Sequence, residues 1–365
     1  MARTRPSPTD ASGRTDVMAL DREGLIRFVQ EAAGGTPGDG LRVYKQLWQR
    51  GATDFLSMTG VRRPLRERLA EVAFVRRLQL HRRLESSDGT IKYLWQLDDG
   101  HTIESVLIPD DDRVTLCMSS QVGCAMACTF CLTGDLGLVR HLSASEIALQ
   151  PLQVQRDVGE RLRISNLVLM GMGEPLHNLK SLVPALTTCL DDHALNYSHR
   201  RITVSTVGLV PKMAELAAAL PVNLAVSLNA TTEAQRRSIM PITKRHSMEE
   251  LLEACRRFPL PAGKRITFEY VMFAGINDSL DDAQRLLELM RDVPAKMNLI
   301  PYNENPARDL RRPSAEVVKQ FQDYLVTRGL STTVRTTRGI DISAACGQLG
   351  KTREQLASGE VSAAP

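Results

Sequence analysis

The 365-residue chain has no apolar run approaching the roughly 18 residues that a membrane-spanning helix needs, and no apolar leader of the kind that directs export. A soluble protein of the cytoplasm is expected. Nor is there an excess of one charge: 46 basic against 42 acidic side chains leave a formal +4, which permits a nucleic-acid partner without demanding one. Where the arginines stand matters more than their sum. A secreted disulfide framework is absent as well, since seven cysteines in a chain this long fit a reducing compartment. The opening Met1 to Asp16 has Arg, Ser, Thr and Pro but no amphipathic order, and Asp10 and Asp16 argue against a transit peptide. Residues 1–20 are expected as a flexible tail.

What the chain does have is Cys124-Ala-Met-Ala-Cys128-Thr-Phe-Cys131, three thiols at spacings of four and three. They stand too close for a rational disulfide set, and an odd number cannot pair off. Thiolates select zinc or iron–sulfur clusters, and a structural zinc site closes with four protein ligands. Only three are local here. A cubane held by three thiolates keeps one iron open for a ligand, which argues for a reactive site over a staple. The alternative is a zinc knuckle that borrows Cys117, His141 or Cys346 as its fourth ligand.

Around this loop the pattern is regular. Leu25, Ile26, Phe28 and Val29, then Leu41, Tyr44, Leu47 and Trp48, then Leu65, Leu69 and Val72 recur at helical spacing, predicting a small helical domain over 21–86. Its last helix is expected to carry Arg62, Arg63, Arg66, Arg68, Arg76, Arg77, Arg82 and Arg83, a row that either tracks phosphates or forms a solvated face with Glu67, Glu71 and Glu85. Over 87–110, Ile91, Tyr93, Trp95 and Leu97 alternate, Asp98-Asp99-Gly100 turns, and His101 to Ile108 returns as a hairpin. Glu104 shares a face with Val106 and Ile108, and if buried there it is suited to taking a proton.

Over 111–345 strands alternate with helices. Val114 to Met118, Ser165 to Met170, Arg201 to Ser205, Asn223 to Ser227, Ile266 to Val271 and Lys296 to Ile300 are six expected strands, with a helix from Ser145 to Val154 after the cysteine loop. The alternation predicts an α/β fold with a parallel sheet closing into a partial (β/α)6, TIM-like barrel whose chemistry sits at the strand ends. Polar and glycine-rich residues fall at those ends: Gly171-Met172-Gly173-Glu174, Ser205, Ser227-Leu228-Asn229, and Asn303. Any one of them is an ordinary turn residue, but four successive ends facing one loop suggest a ligand site.

The cysteine loop with Phe130 before its third thiol resembles the cluster loop of the radical S-adenosylmethionine enzymes. Its flanks, Leu116-Cys117-Met118-Ser119-Ser120-Gln121-Val122-Gly123, Gly171 to Pro175, and Asp341-Ile342-Ser343-Ala344-Ala345-Cys346-Gly347-Gln348-Leu349, are similar to the RlmN-type branch, the adenine C2-methyltransferases of ribosomal and transfer RNA. The resemblance runs from about Asp21 to Leu349. It implies a [4Fe-4S] cluster on Cys124, Cys128 and Cys131, with S-adenosylmethionine held by Gly173, Glu174, Ser205, Ser227, Leu228, Asn229 and Asn303. The family commonly has a histidine where Asn229 stands, which leaves a side-chain role there in doubt.

By the same resemblance, Cys346, in the C-terminal segment 346–365, takes a methyl group from one S-adenosylmethionine, and a second supplies the radical that activates it. The resulting carbon radical joins the adenine ring, Glu104 removes a proton, and Cys117 attacks the Cys346 sulfur to release the base and leave a disulfide. The implied substrates are 23S rRNA in its peptidyl-transferase region and the anticodon-loop adenine of tRNA, with a flavodoxin-like electron donor and a monomeric enzyme. Arg335, Arg338 and Lys351 are placed as further phosphate contacts. Two rival readings are methylation at C8, which Gly134-Asp135-Leu136-Gly137-Leu138 favours, and a non-catalytic zinc RNA-binding module.

Overall fold

The computed structural model describes residues 9–260, 263–305 and 308–350. Ten strands form one continuous sheet whose spatial order follows chain order: β1 Gln79–Glu85, β2 Ile91–Gln96, β3 Thr102–Asp110, β4 Arg113–Cys117, β5 Asn166–Leu169, β6 Ile202–Thr206, β7 Asn223–Ser227, β8 Ile266–Met272, β9 Ala295–Pro301 and β10 Thr332–Val334. From β1 to β4 every pairing is antiparallel, and from β4 to β10 every pairing is parallel. The switch at β4 puts the last residue of that strand, Cys117, between the hairpin extension and the parallel half-barrel. β1 and β10 do not pair with each other, so the barrel is open.

Parallel strands need crossovers, and helices supply them: α1 Ala144–Val158, α2 Leu179–Leu190, α3 Val210–Ala219, α4 Glu233–Ile239 with α5 Met248–Arg257, α6 Leu280–Met290 and α7 Ala315–Thr327, each set standing between successive strands. The six expected parallel strands all form, within about two residues of their expected ends. A seventh, β10, was not expected. Thr332–Val334 is too short to show a period, and it pairs with β9 through Met297 to Leu299.

Ahead of the sheet stand three helices, numbered separately as αA Arg22–Ala33, αB Pro37–Trp48 and αC Arg63–Val72. Asp21 caps αA by accepting from the Gly24 amide at 2.7 Å, and Thr36 with Asp39 forms a reciprocal capping box on αB. Leu25, Val29, Val43, Leu47, Leu65 and Leu69 are buried along their shared seam, each aliphatic side chain stabilising by roughly 2 kcal/mol.

Two expectations here are corrected. The arginine row does not lie on one helix: only Arg63, Arg66 and Arg68 stand on αC, while Arg82 and Arg83 belong to β1. Most of the row is paired within the chain. Arg62 meets Asp39 at 3.0 Å, Arg63 meets Glu67 at 2.8 Å, Arg68 meets Glu71 at 2.6 Å and Arg83 meets Asp157 at 3.0 Å. Arg76 is buried against Asp16 at 2.6 Å. Arg77 and Arg82 remain exposed, with no ion pair among the described residues. The tail is the second correction: Thr15–Asp16 pairs in parallel with Ala73–Phe74, and Val17 and Met18 are buried. Asp16 carries this ordering, since its carboxylate also accepts from Ser145 at 2.9 Å. Lys351 and the rest of the C-terminal tail lie outside the described residues.

Candidate active site

The cysteine loop is clamped at its base by a short antiparallel pair, Gln121–Gly123 with Leu138–His141. Gly123 has φ +71°, and a Cβ there would run into the Gly137 carbonyl, so only glycine closes the clamp. Further bonds hold the loop in place: Cys124 N to Gly137 O at 2.9 Å, Thr129 N to Ile239 O at 3.0 Å and Leu132 N to Gly347 O at 2.8 Å. The last of these joins the loop to the residue after Cys346.

Cys124, Cys128 and Cys131 line one cavity. Burial pushes the Cys124 thiol up to about 12 and raises Cys128 and Cys131 as well, and Cys128 is raised further by its two partners. Three thiolates therefore exist here together only if a metal group balances them. Among the described residues no three ligating side chains converge tightly enough for one metal ion. A single zinc would need its sulfurs roughly 3.8 Å apart, as Zn–S bonds of about 2.3 Å in a tetrahedron require. Three thiols lining one cavity suit a cluster in which each takes its own iron.

The parallel strands deliver their ends to the same cavity. Gly171, Gly173, Glu174, Ser205, Ser227 and Asn229 line it, and so does Cys346. Glu174 is buried and accepts from the Val207 amide at 2.9 Å and the Leu176 amide at 3.1 Å. Burial nonetheless pushes its carboxyl up to about 7, so a ligand ammonium at this point would draw it back to the charged form. Ser205 and Ser227 both donate to one oxygen of Glu269, at 2.8 and 3.5 Å.

Four of the expected residues stand outside the lining. Leu228 is fully buried, with its amide on Glu269 O and its carbonyl on Arg236. Asn303 bonds the Cys346 carbonyl at 3.2 Å through Nδ2. Glu104 and Cys117 are buried on β3 and β4. Asn229 does line the cavity, yet its side chain is taken up by the fold: Oδ1 accepts from the Val271 amide at 2.8 Å, and the residue sits at φ +58°.

Cys117 and Cys346 lie close enough that charge on Cys346 opposes ionisation of Cys117, whose thiol burial pushes up to about 12. Burial raises Cys346 too, and the Arg335 guanidinium opposes that rise. Cys346, Glu269 and Cys117 hold the pKa of half-buried Arg335 up, so its charge lies within electrostatic reach of the thiol site. Arg338 instead meets Asp110 at 3.4 Å. Glu269 was missed as well. Its signal was legible, a lone carboxylate inside the apolar strand Ile266-Thr-Phe-Glu-Tyr-Val271.

An open parallel barrel with a three-thiol loop and glycine-rich and acidic strand ends around one cavity defines a radical S-adenosylmethionine enzyme. The chain matches the Radical SAM superfamily over residues 118–290. It is 51% identical to a dual-specificity RNA methyltransferase RlmN of Geobacter sulfurreducens, covering 92% of this chain and 91% of that one. A relative of the same description from Anaeromyxobacter dehalogenans is 50% identical, with the same coverage. Among solved structures, a radical SAM methyltransferase from Sphaerobacter thermophilus superposes with a TM-score of 0.87 at 40% identity, over 92% of this chain and 98% of that one. The chain belongs to the RlmN family of radical SAM RNA methyltransferases. The family carries a [4Fe-4S] cluster and uses S-adenosylmethionine, and the donor set described above fits both.

Proposed function

We propose that this enzyme methylates C2 of an adenine in the peptidyl-transferase region of 23S rRNA and in the anticodon loop of tRNA, with Cys346 as carrier of the methyl group. The observation that supports it is the placement of a second buried thiol, Cys117, in electrostatic contact with a cavity-lining Cys346. A ring carbon without a nucleophilic lone pair cannot attack a sulfonium directly, so a carrier and a means of release are both needed. Cys124, Cys128 and Cys131 would hold the cluster, which together with S-adenosylmethionine would supply a 5′-deoxyadenosyl radical.

The chain's own residues do the rest. Arg335 favours the Cys346 thiolate for methyl transfer. Glu104, buried on β3, removes the proton from the covalent adduct, and the Cys117 thiolate attacks the Cys346 sulfur, forming the disulfide as the bond from that sulfur to the methylene carbon breaks and its electron pair passes to the carbon, which is protonated to the methyl group. The resulting disulfide must be reopened, and a flavodoxin-class donor is the proposed source of electrons, acting on a monomeric cytoplasmic enzyme. Exposed Arg77 and Arg82 are the arginines of the amino-terminal row available to RNA phosphate.

Mass spectrometry of adenosines in rRNA and tRNA from cells with and without the gene tests the substrate, because C2 and C8 products separate chromatographically. Cys117→Ala is expected to accumulate a protein–RNA adduct and Cys346→Ala to form none. Equal activity in both variants would sink the covalent scheme.

A further inference from the structure

The antiparallel extension places charged groups where an apolar face is expected. In the register of β2, β3 and β4, Lys92 stands opposite Val106, and Val106 stands opposite Cys117. Glu104 is two residues before Val106 and therefore on the same face. Lys92 is 5% exposed and Glu104 4%, and Lys92 Nζ lies 3.6 Å from Glu104 Oε2. Lysines are almost never buried this deeply unless their charge is matched. The same ammonium donates to the Ser343 carbonyl at 3.0 Å.

Ser343 is three residues before Cys346 and is held at φ +51°, a conformation that persists only where its surroundings over-determine it. One side chain thus ties the carboxylate, the face that carries Cys117 and the segment that carries Cys346. At 3.6 Å the link to Glu104 works through charge more than through hydrogen-bond direction. It therefore weakens when the carboxylate takes up a proton, while the link to Ser343 stays.

We propose that Lys92 is a positioning residue for adduct resolution, its ammonium holding the Glu104 carboxylate in register with the Cys346 segment. This rests on the reading of Glu104 as proton acceptor. Removing the ammonium leaves a buried carboxylate without that counter-charge and a strained segment without its anchor. If positioning dominates, the loss appears at the proton-removal step and not at methyl transfer to Cys346.

The test uses reconstituted full-length enzyme and an RNA substrate, reading Cys346 methylation by intact-protein mass spectrometry and adduct decay by gel. Lys92→Met is expected to methylate Cys346 normally and form the adduct, but to resolve it at least about tenfold more slowly, within the range a misplaced general base loses. Lys92→Arg should recover part of the rate. Adding Lys92→Met to Glu104→Gln should cause no further slowing, because both act on one step. Should Lys92→Met lose its fold, Lys92→Gln against Lys92→Arg makes the same comparison.

Normal resolution in Lys92→Met would overturn the inference, and so would lost Cys346 methylation or an additive effect on Glu104→Gln, either of which marks a mere anchor. Normal resolution in Glu104→Gln would instead overturn the underlying reading of Glu104.

Discussion

Replacing Gly173 by alanine probes whether the strand-end turn is built for close approach. At φ +103° a Cβ would stand 2.5 Å from Gln121 Cβ, 2.7 Å from its Cγ and 2.9 Å from its amide nitrogen. Gln121 cannot withdraw cheaply. Its Oε1 accepts from the Glu174 amide at 2.8 Å, its Nε2 is 2.9 Å from His141 Nδ1, and its own amide bonds Met172 O at 3.1 Å. Left-handed strain costs about 1–2 kcal/mol and overpacking about 1–3 kcal/mol, together about 2–5 kcal/mol. An unfolding entropy of about 2.1 cal/mol/K per residue over the 365-residue chain converts this to a Tm loss of about 3–6 °C. Gly100→Ala is the matched control, with φ +79° and nothing within 4 Å of its Cβ. Calorimetry of the two variants, with equilibrium dialysis of S-adenosylmethionine, separates strain from clash. Should Gly173→Ala melt together with Gly100→Ala and bind the cofactor like the parent, the close-approach argument fails.

Three further outcomes are expected. Arg236 is buried beside Cys128 and donates to the Ser227 and Leu228 carbonyls at 3.1 and 3.2 Å, and burial lowers its pKa to about 10. Arg236→Gln should move the cluster midpoint to a more negative potential in an EPR-monitored titration, with Arg236→Lys between the two; an unchanged midpoint would refute this. For Asp88, burial would raise the carboxyl, but the Gly339 amide at 2.9 Å and its other donors outweigh it and bring the pKa to about 2. A depressed carboxyl stabilises above its unfolded value near 4 and loses that contribution as pH falls towards 2, so deuterium uptake over 339–346 should rise in that window. Uptake that stays flat would refute the tether. Asn229→Leu should leave the Val271 amide unsatisfied and cost about 1–3 kcal/mol in a denaturant titration, whereas Asn229→His, with a ring nitrogen able to accept, should cost less.

The parallel strands were legible because each is an apolar run flanked by helical periodicity, and their ends because glycine and serine interrupt those runs. The cysteine loop declared itself through spacing alone. What could not be read was pairing across distance. Arg76 stands 60 positions from its partner Asp16, and nothing local separates it from exposed Arg77. Arg335 shows the same limit: near Cys346 in sequence it resembles a surface cation, yet its charge is felt by Glu269 on β8. Lys92 alternates with apolar Ile91 and Tyr93 as a solvent-facing strand residue would, and only the pairing with β3 and β4 shows that β2 buries both of its faces.

These inward charges explain how one interior can serve two opposed demands on sulfur. In the proposed scheme methyl transfer needs Cys346 as an anion and adduct release needs Cys117 as one, but burial pushes both thiols up, and charge on Cys346 opposes ionisation of Cys117. The charge of one cation, Arg335, favours ionisation of both thiols. Once Cys346 carries carbon it holds no charge, and the same guanidinium is left to favour Cys117. On that scheme the order of the two steps follows from electrostatics. Lys92 stays out of that exchange because its own counter-charge is Glu104, so the proposed proton acceptor and the proposed nucleophiles are served by separate cations.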